Sequence, residues 1–168
     1  MKMFRLTTLI IASTALIWAC GSEGTDTTDR TEETEKTEEA PRESDPRGIG
    51  EVTHVELTDP LDEDMIKVGE SIYDMKCSAC HKLSDQRVVG PGWAGITNIR
   101  RPEWIMNMIT NVDVMLDEDP VARQLLEECL TRMPNQGVSI TEARSIVEFM
   151  RDNDLRTVGT KDEAVNQS

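Results

Sequence analysis

The chain has 168 residues, a formal net charge of −14 and 38% hydrophobic residues. That length admits one domain of ordinary size. The excess of Asp and Glu excludes nucleic acid as a partner, because phosphate neutralisation needs a basic surface.

The first segment is a leader. Lys2 and Arg5 precede the apolar run LTTLIIASTALIWA, which ends at Cys20-Gly21. A positive start, a short apolar core and small residues at a cleavage point describe a secretory signal over 1–19. Ile17-Trp18-Ala19-Cys20 resembles the lipobox of bacterial lipoproteins, which implies that Cys20 becomes the lipid-bearing first residue of the mature protein. Everything after it is then expected on the periplasmic side of a bacterial membrane, lipid-anchored. Gly21 follows where an Asp often signals inner-membrane retention, and both membranes stay open.

Residues 20–60 read as an acidic tether. GSEGTDTTDRTEETEKTEEAPRESDPRGIG has almost no large apolar side chain, and positions 21–60 carry 13 acidic against 4 basic residues. Such a segment cannot bury enough apolar surface to offset its ordering entropy, so disorder is the expectation.

The head domain is placed at 61–152 and reads as all-α. Met65, Val68, Ile72 and Met75 are spaced to share one face of a first helix, with Asp62, Glu63 and Asp64 favourable at its start. VVGPGWAG is a loop. A second helix starts at Pro102 and carries Trp104, Ile105, Met108 and Ile109. A third starts at Asp119-Pro120, with Val121 or Ala122, Leu125, Leu126 and Cys129 inward. Ser139-Ile140-Thr141-Glu142 fits a capping box opening a fourth, continued by Ala143, Ile146, Val147 and Met150. The polar stretch 153–168 is expected to fray. Aromatic residues make up only 4% of the chain, so the core is thin, and small domains of this kind commonly need a staple or cofactor.

The chemistry sits in Lys76-Cys77-Ser78-Ala79-Cys80-His81-Lys82. A redox dithiol would lie at a strand-to-helix turn of a βαβ unit, and no parallel-sheet rhythm is present. A structural zinc site needs four ligands, and only Cys20, His54 and Cys129 remain outside the motif. Covalent c-type haem accounts for each position. Cys77 and Cys80 on one turn reach the two vinyl groups on one edge of a porphyrin, and His81 falls beneath the iron.

For the other side of the iron, Met106, Met108, Met115, Met133 and Met150 compete. A methionine at helical spacing is usually core filler. Met133 lies instead in TRMPNQG, a loop after the third helix, and is the expected ligand. His54, among Glu51, Glu56 and Asp59, reads as exposed and titrating. Cys129 reads as a small buried hydrophobe.

The head domain resembles a class I monohaem cytochrome c over 61–152. Gly69, Tyr73 and Phe149 resemble the family's crossing of first and last helices. Gly90-Pro91 resembles its post-haem turn, which implies that the Pro91 carbonyl accepts from the His81 ring. Met133-Pro134 resembles its distal ligand loop, and SITEARSIVEFMR its closing helix. Trp93 and RRPEWIMNMITN are similar to lipoprotein cytochromes that accompany nitrous oxide reductase. The resemblance implies an electron carrier, not an enzyme, running between a quinol-oxidising complex and a terminal reductase or oxidase. Lys76, Lys82 and Arg87 would form a basic docking fringe, with ordinary solvated side chains as the other reading. Two alternatives are a haem enzyme or gas sensor with a labile sixth ligand, and a fixed haem subunit of a respiratory complex.

Overall fold

Asp62 opens the first helix, α1 (Glu63–Lys76): its carboxylate accepts from the N–H groups of Asp64 and Met65, both at 3.0 Å. Two donors that the first turn would leave orphaned are thereby satisfied. The computed structural model describes residues 45–166. The leader 1–19, Cys20 and the tether up to residue 44 lie outside them.

Five more α-helices follow among the described residues: α2 (Ile96–Ile99), α3 (Pro102–Thr110), α4 (Val112–Glu118), α5 (Pro120–Cys129) and α6 (Ile140–Thr157), with a 3-10 turn at Glu163–Asn166. No strand occurs among these residues, and a single bridge pair joins His81 and Arg87. The all-α expectation holds. None of these helices is long and apolar enough to cross a membrane.

The predicted starts of α5 and α6 carry side-chain caps, whereas α3 opens on Pro102 without one. Asp119 accepts from Ala122 N–H at 2.8 Å at the head of α5. Both halves of the Ser139–Glu142 capping box are made at the head of α6. The short helices α2 and α4 escaped the sequence reading. α2 has no side-chain cap of its own; Asp154 on α6 accepts from Gly95 N–H at 2.7 Å and Thr97 N–H at 2.8 Å. That helix exists because a distant carboxylate holds its first turn.

α1 packs across α6 at Gly69, where a Cβ would overlap the Ser145 carbonyl. This close approach selects which face of α1 is inside. Gly69, Ile72 and Tyr73 are buried, whereas Val68 is 48% and Met75 72% exposed. The predicted apolar face is therefore corrected by part of a turn: spacing alone did not register the glycine as the contact point.

The tether boundary also moves. Residues 45–60 are not loose but form a strap on α3 and α4. Val52 is buried; its N–H donates to Asn107 Oδ1 at 3.1 Å, and its carbonyl accepts from Asn107 Nδ2 at 2.9 Å. Asn111 Nδ2 donates to the Ile49 carbonyl at 3.1 Å. These bonds come from side chains far along the chain, so local composition could not signal them.

The polar end is likewise packed. α6 runs on to Thr157, with Asn153 and Asp154 buried. Beyond it, Asp162 pairs with the buried Arg151 at 2.8 Å. Arg151 also meets Glu148 at 2.8 Å, and Glu148 accepts from the Asp62 N–H at 3.0 Å and from Thr58 Oγ1 at 3.2 Å. Strap, last helix and tail thus share one buried ionic cluster. Its charges are paired and hydrogen-bonded, the condition under which burial is tolerated.

Candidate functional site

The CSACH segment continues directly from α1. Cys77 caps that helix with its N–H on the Tyr73 carbonyl, and the His81 N–H returns to the Cys77 carbonyl, both at 2.9 Å. This single turn places Cys77, Cys80 and His81 together on the wall of one cleft. Burial pushes the Cys77 thiol up to about 11.

His81 is held from several directions. Its Nδ1 lies 2.8 Å from the Pro91 carbonyl, so Nδ1 carries the proton and Nε2 keeps its lone pair. Burial lowers the imidazole below its ordinary value, against the Pro91 bond, which favours the protonated form. Gly90 lies flat on the ring, where a Cβ would overlap it. The Tyr73 hydroxyl donates to the His81 carbonyl at 2.8 Å. Trp93 stands 5.5 Å from the His81 ring and 4.9 Å from Tyr73, which in turn stands 5.5 Å from Phe149. An aromatic relay therefore runs from the α1–α6 crossing to the imidazole. The anchoring roles of Trp93 and of the Tyr73 hydroxyl were not read from the sequence; that of Trp93 depends on the loop after His81 folding back beside the ring.

The cleft is partly open to solvent, with a cavity volume of about 160 Å³. Its walls are mainly apolar, with Trp93, Trp104, Ile105, Leu116, Val138 and Met150 among them. Leu125, Leu126 and Cys129 of α5 line this space, the two leucines packing against the core as well; only Ala122 of that helix is buried. Cys129, expected to be a buried hydrophobe, is instead a half-buried cleft residue. An apolar cleft carrying two thiols on one turn and an oriented imidazole fits a covalently attached porphyrin. No group of three or more His, Cys, Asp or Glu able to hold a metal ion occurs among the described residues.

The methionines separate by place. Met106 and Met115 are fully packed, and Met115 Sδ accepts from the Ile49 N–H at 3.0 Å. Met108, Met133 and Met150 line the cleft. Of these three, Met108 belongs to α3 and Met150 to α6, while Met133 lies in the loop between α5 and α6. α5 ends on Leu130 in the left-handed region, φ 56°, which turns the chain out of the helix ahead of Met133. His54 is exposed and lies away from this cleft, beside a shallow groove formed with Glu51, Glu56 and Arg144.

The supposed basic fringe is largely committed to other bonds. Arg87 pairs with Glu128 at 2.8 Å, and Lys76 donates to the Gln136 carbonyl at 2.9 Å. Lys82 is exposed.

A family model described as Cytochrome c matches residues 66–154. Among solved structures, a cytochrome c from Rhodothermus marinus is 34% identical, with a TM-score of 0.64 over 67% of this chain and 96% of its own. An engineered cytochrome c from the same organism, bound to a carbene intermediate, is also 34% identical, with a TM-score of 0.60 over 66% of this chain and 98% of its own. No curated protein sequence matches the chain.

Proposed function

The chain belongs to the cytochrome c family, and from that premise we propose that it is a membrane-tethered one-electron carrier in which His81 and Met133 would hold the haem iron. Covalent c-type haem comes with the family and fits the cleft. When bound, the haem supplies one reversible electron at its iron.

The chain's own residues then have distinct tasks. Cys77 and Cys80 would hold the group by thioethers. Pro91 and Gly90 fix the His81 ring so that Nε2 faces the cleft, and a hydrogen bond at the far nitrogen makes the imidazole a better donor. The apolar walls keep water from the iron. Met133 is the cleft methionine on a loop, free of the helical geometry that commits Met108 and Met150. This placement is the observation that carries the reading. A site closed on both sides favours electron transfer over substrate turnover, because little has to rearrange.

Cys20 would bear the lipid, and the acidic segment after it would let the head move above the periplasmic face of its membrane. The expected partners are a quinol-oxidising complex on one side and a terminal reductase or oxidase on the other. Nitrous oxide reductase is the first acceptor to try, on the strength of Trp93 and the RRPEWIMNMITN segment. A second reading, an iron open to exogenous ligands, is favoured by the carbene bound in the engineered relative.

One experiment separates the two. The reduced haem protein is exposed to carbon monoxide, with and without Met133→Ala. A spectrum indifferent to carbon monoxide that becomes sensitive in the variant supports the closed carrier. Ready binding by the unmutated protein supports the open iron. The anchor is tested by following the Cys20→Ala protein between membrane and soluble fractions; a protein that stays on the membrane would remove the lipid from the proposal.

A further inference from the structure

The loop between α5 and α6 carries Met133, and its hydrogen bonds within itself only shape it. Gly137 N–H donates to Asn135 Oδ1 at 2.8 Å, and Gln136 Nε2 to the Pro134 carbonyl at 3.2 Å. Met133 packs against the core, and among the described residues two charged side chains make the polar bonds that tie residues 131–137 to helices. Arg132 reaches α4, at 2.9 Å from Asp117 Oδ1 and 3.2 Å from the Asp113 carbonyl. Lys76, the last residue of α1, donates from Nζ to the Gln136 carbonyl at 2.9 Å. Met133 lies between these two pins.

The pins are unequal. The Arg132 and Asp117 side chains are 43% and 63% exposed, and ion pairs so open to water are worth little. Lys76 is half-buried and lines the same cleft as Gln136 and Met133. Its bond is charge-assisted, and its acceptor is a backbone oxygen, so the loop cannot swing away without breaking it. The donor's own position is also firm. Lys76 ends α1, where a cation is favoured by the helix dipole, and the next residue is Cys77.

We propose that Lys76 is the positioning residue that latches the Met133 loop over the cleft, and so decides how readily the sixth position opens to an exogenous ligand. This rests on Met133 being the iron ligand. Arg132, four residues before the latch's acceptor and paired in the open, contributes little to that closure.

The test uses the mature haem protein with Lys76→Met, Lys76→Arg, Arg132→Met and Met133→Ala. Two readouts are taken: the rate of carbon monoxide binding to the reduced protein, and amide hydrogen exchange over residues 133–138. Lys76→Met, which keeps the stem and removes the donor, is expected to raise both rates by about tenfold to a hundredfold, the worth of a hydrogen bond from a charged group. Lys76→Arg restores the closed behaviour, and Arg132→Met changes either rate by about twofold. Rates in Lys76→Met equal to the unmutated protein, or an equal effect from Arg132→Met, overturn the latch while leaving the ligand assignment intact. No response to carbon monoxide in Met133→Ala removes the ligand assignment, and the latch with it.

Discussion

Asn107 and Val52 close a reciprocal pair across 55 positions of sequence: the amide oxygen of Asn107 accepts from the Val52 N–H, and its nitrogen donates to the Val52 carbonyl. The same nitrogen reaches the Arg47 carbonyl at 2.9 Å. One buried side chain on α3 thus satisfies the strap's backbone where it crosses the core.

Asn107→Ala is therefore expected to cost about 2–4 kcal/mol, since it orphans buried backbone groups worth ~1–3 kcal/mol each. Chemical unfolding followed by tryptophan fluorescence measures the loss. Proteolysis should cut first within 45–60. A variant as stable as the parent would mean that the strap is not held by this residue.

Gly69→Ala puts a methyl group against the Ser145 carbonyl and the Phe149 Cβ at the α1–α6 crossing. Overpacking of this kind costs about 1–3 kcal/mol, and backbone against backbone has little room to yield. A thermal melt of the haem protein should shift down by several degrees. No shift would show that the two helices can separate freely there.

Gly90→Ala acts closer to the chemistry. The added Cβ meets the imidazole itself, so the ring must tilt and its bond to Pro91 must lengthen. The expected outcome is a lower yield of haem protein and a shifted reduction potential, read by redox titration against the unmutated protein. Equal yield and potential would mean that the ring is not set by this contact.

Acid should loosen the cluster under α6. Burial alone would raise the Glu148 carboxyl, but the Asp62 N–H and the guanidinium groups of Arg144 and Arg151 outweigh it and hold it below its ordinary 4.5. Asp162 is likewise held below 3.8: burial opposes this, and Arg151 and Lys161 prevail. A carboxyl depressed in the folded state stabilises it above the unfolded value, and the contribution is lost as pH falls through the folded one. Melting temperature should thus be level above about pH 5 on this account and fall increasingly below 4.5. Glu148→Gln lowers stability at neutral pH but should flatten that acid slope; an unchanged slope would place the sensitivity elsewhere.

What was legible in the sequence was written in neighbours. The CSACH turn, the Asp119-Pro120 helix start, the Ser139–Glu142 capping box and the lack of strand rhythm each depend on residues a few positions apart. The loop position of Met133 follows from the same kind of signal, Pro134 and Gly137 beside the end of a helix. What escaped involved distant partners. Residues 45–60 were read with the acidic segment before them, yet Ile49, Val52, Val55 and Leu57 pack on the core and Asn107 and Asn111 hold the backbone in place. The inward face of α1 was misread from apolar spacing, which cannot mark a glycine; the resemblance, not the periodicity, had placed Gly69 at the crossing.

The sequence by itself thus determined the attachment chemistry, the helical class and the starts of α3, α5 and α6, because thioether geometry, caps and turn residues act over a few bonds or one helical turn. Tertiary structure alone decided which charges and amides are paired, that Cys129 faces the cleft, and that Lys76 reaches Gln136. Those outcomes depend on where separate helices come to rest against one another. The free energy of burying a polar group is set by the partner it finds there.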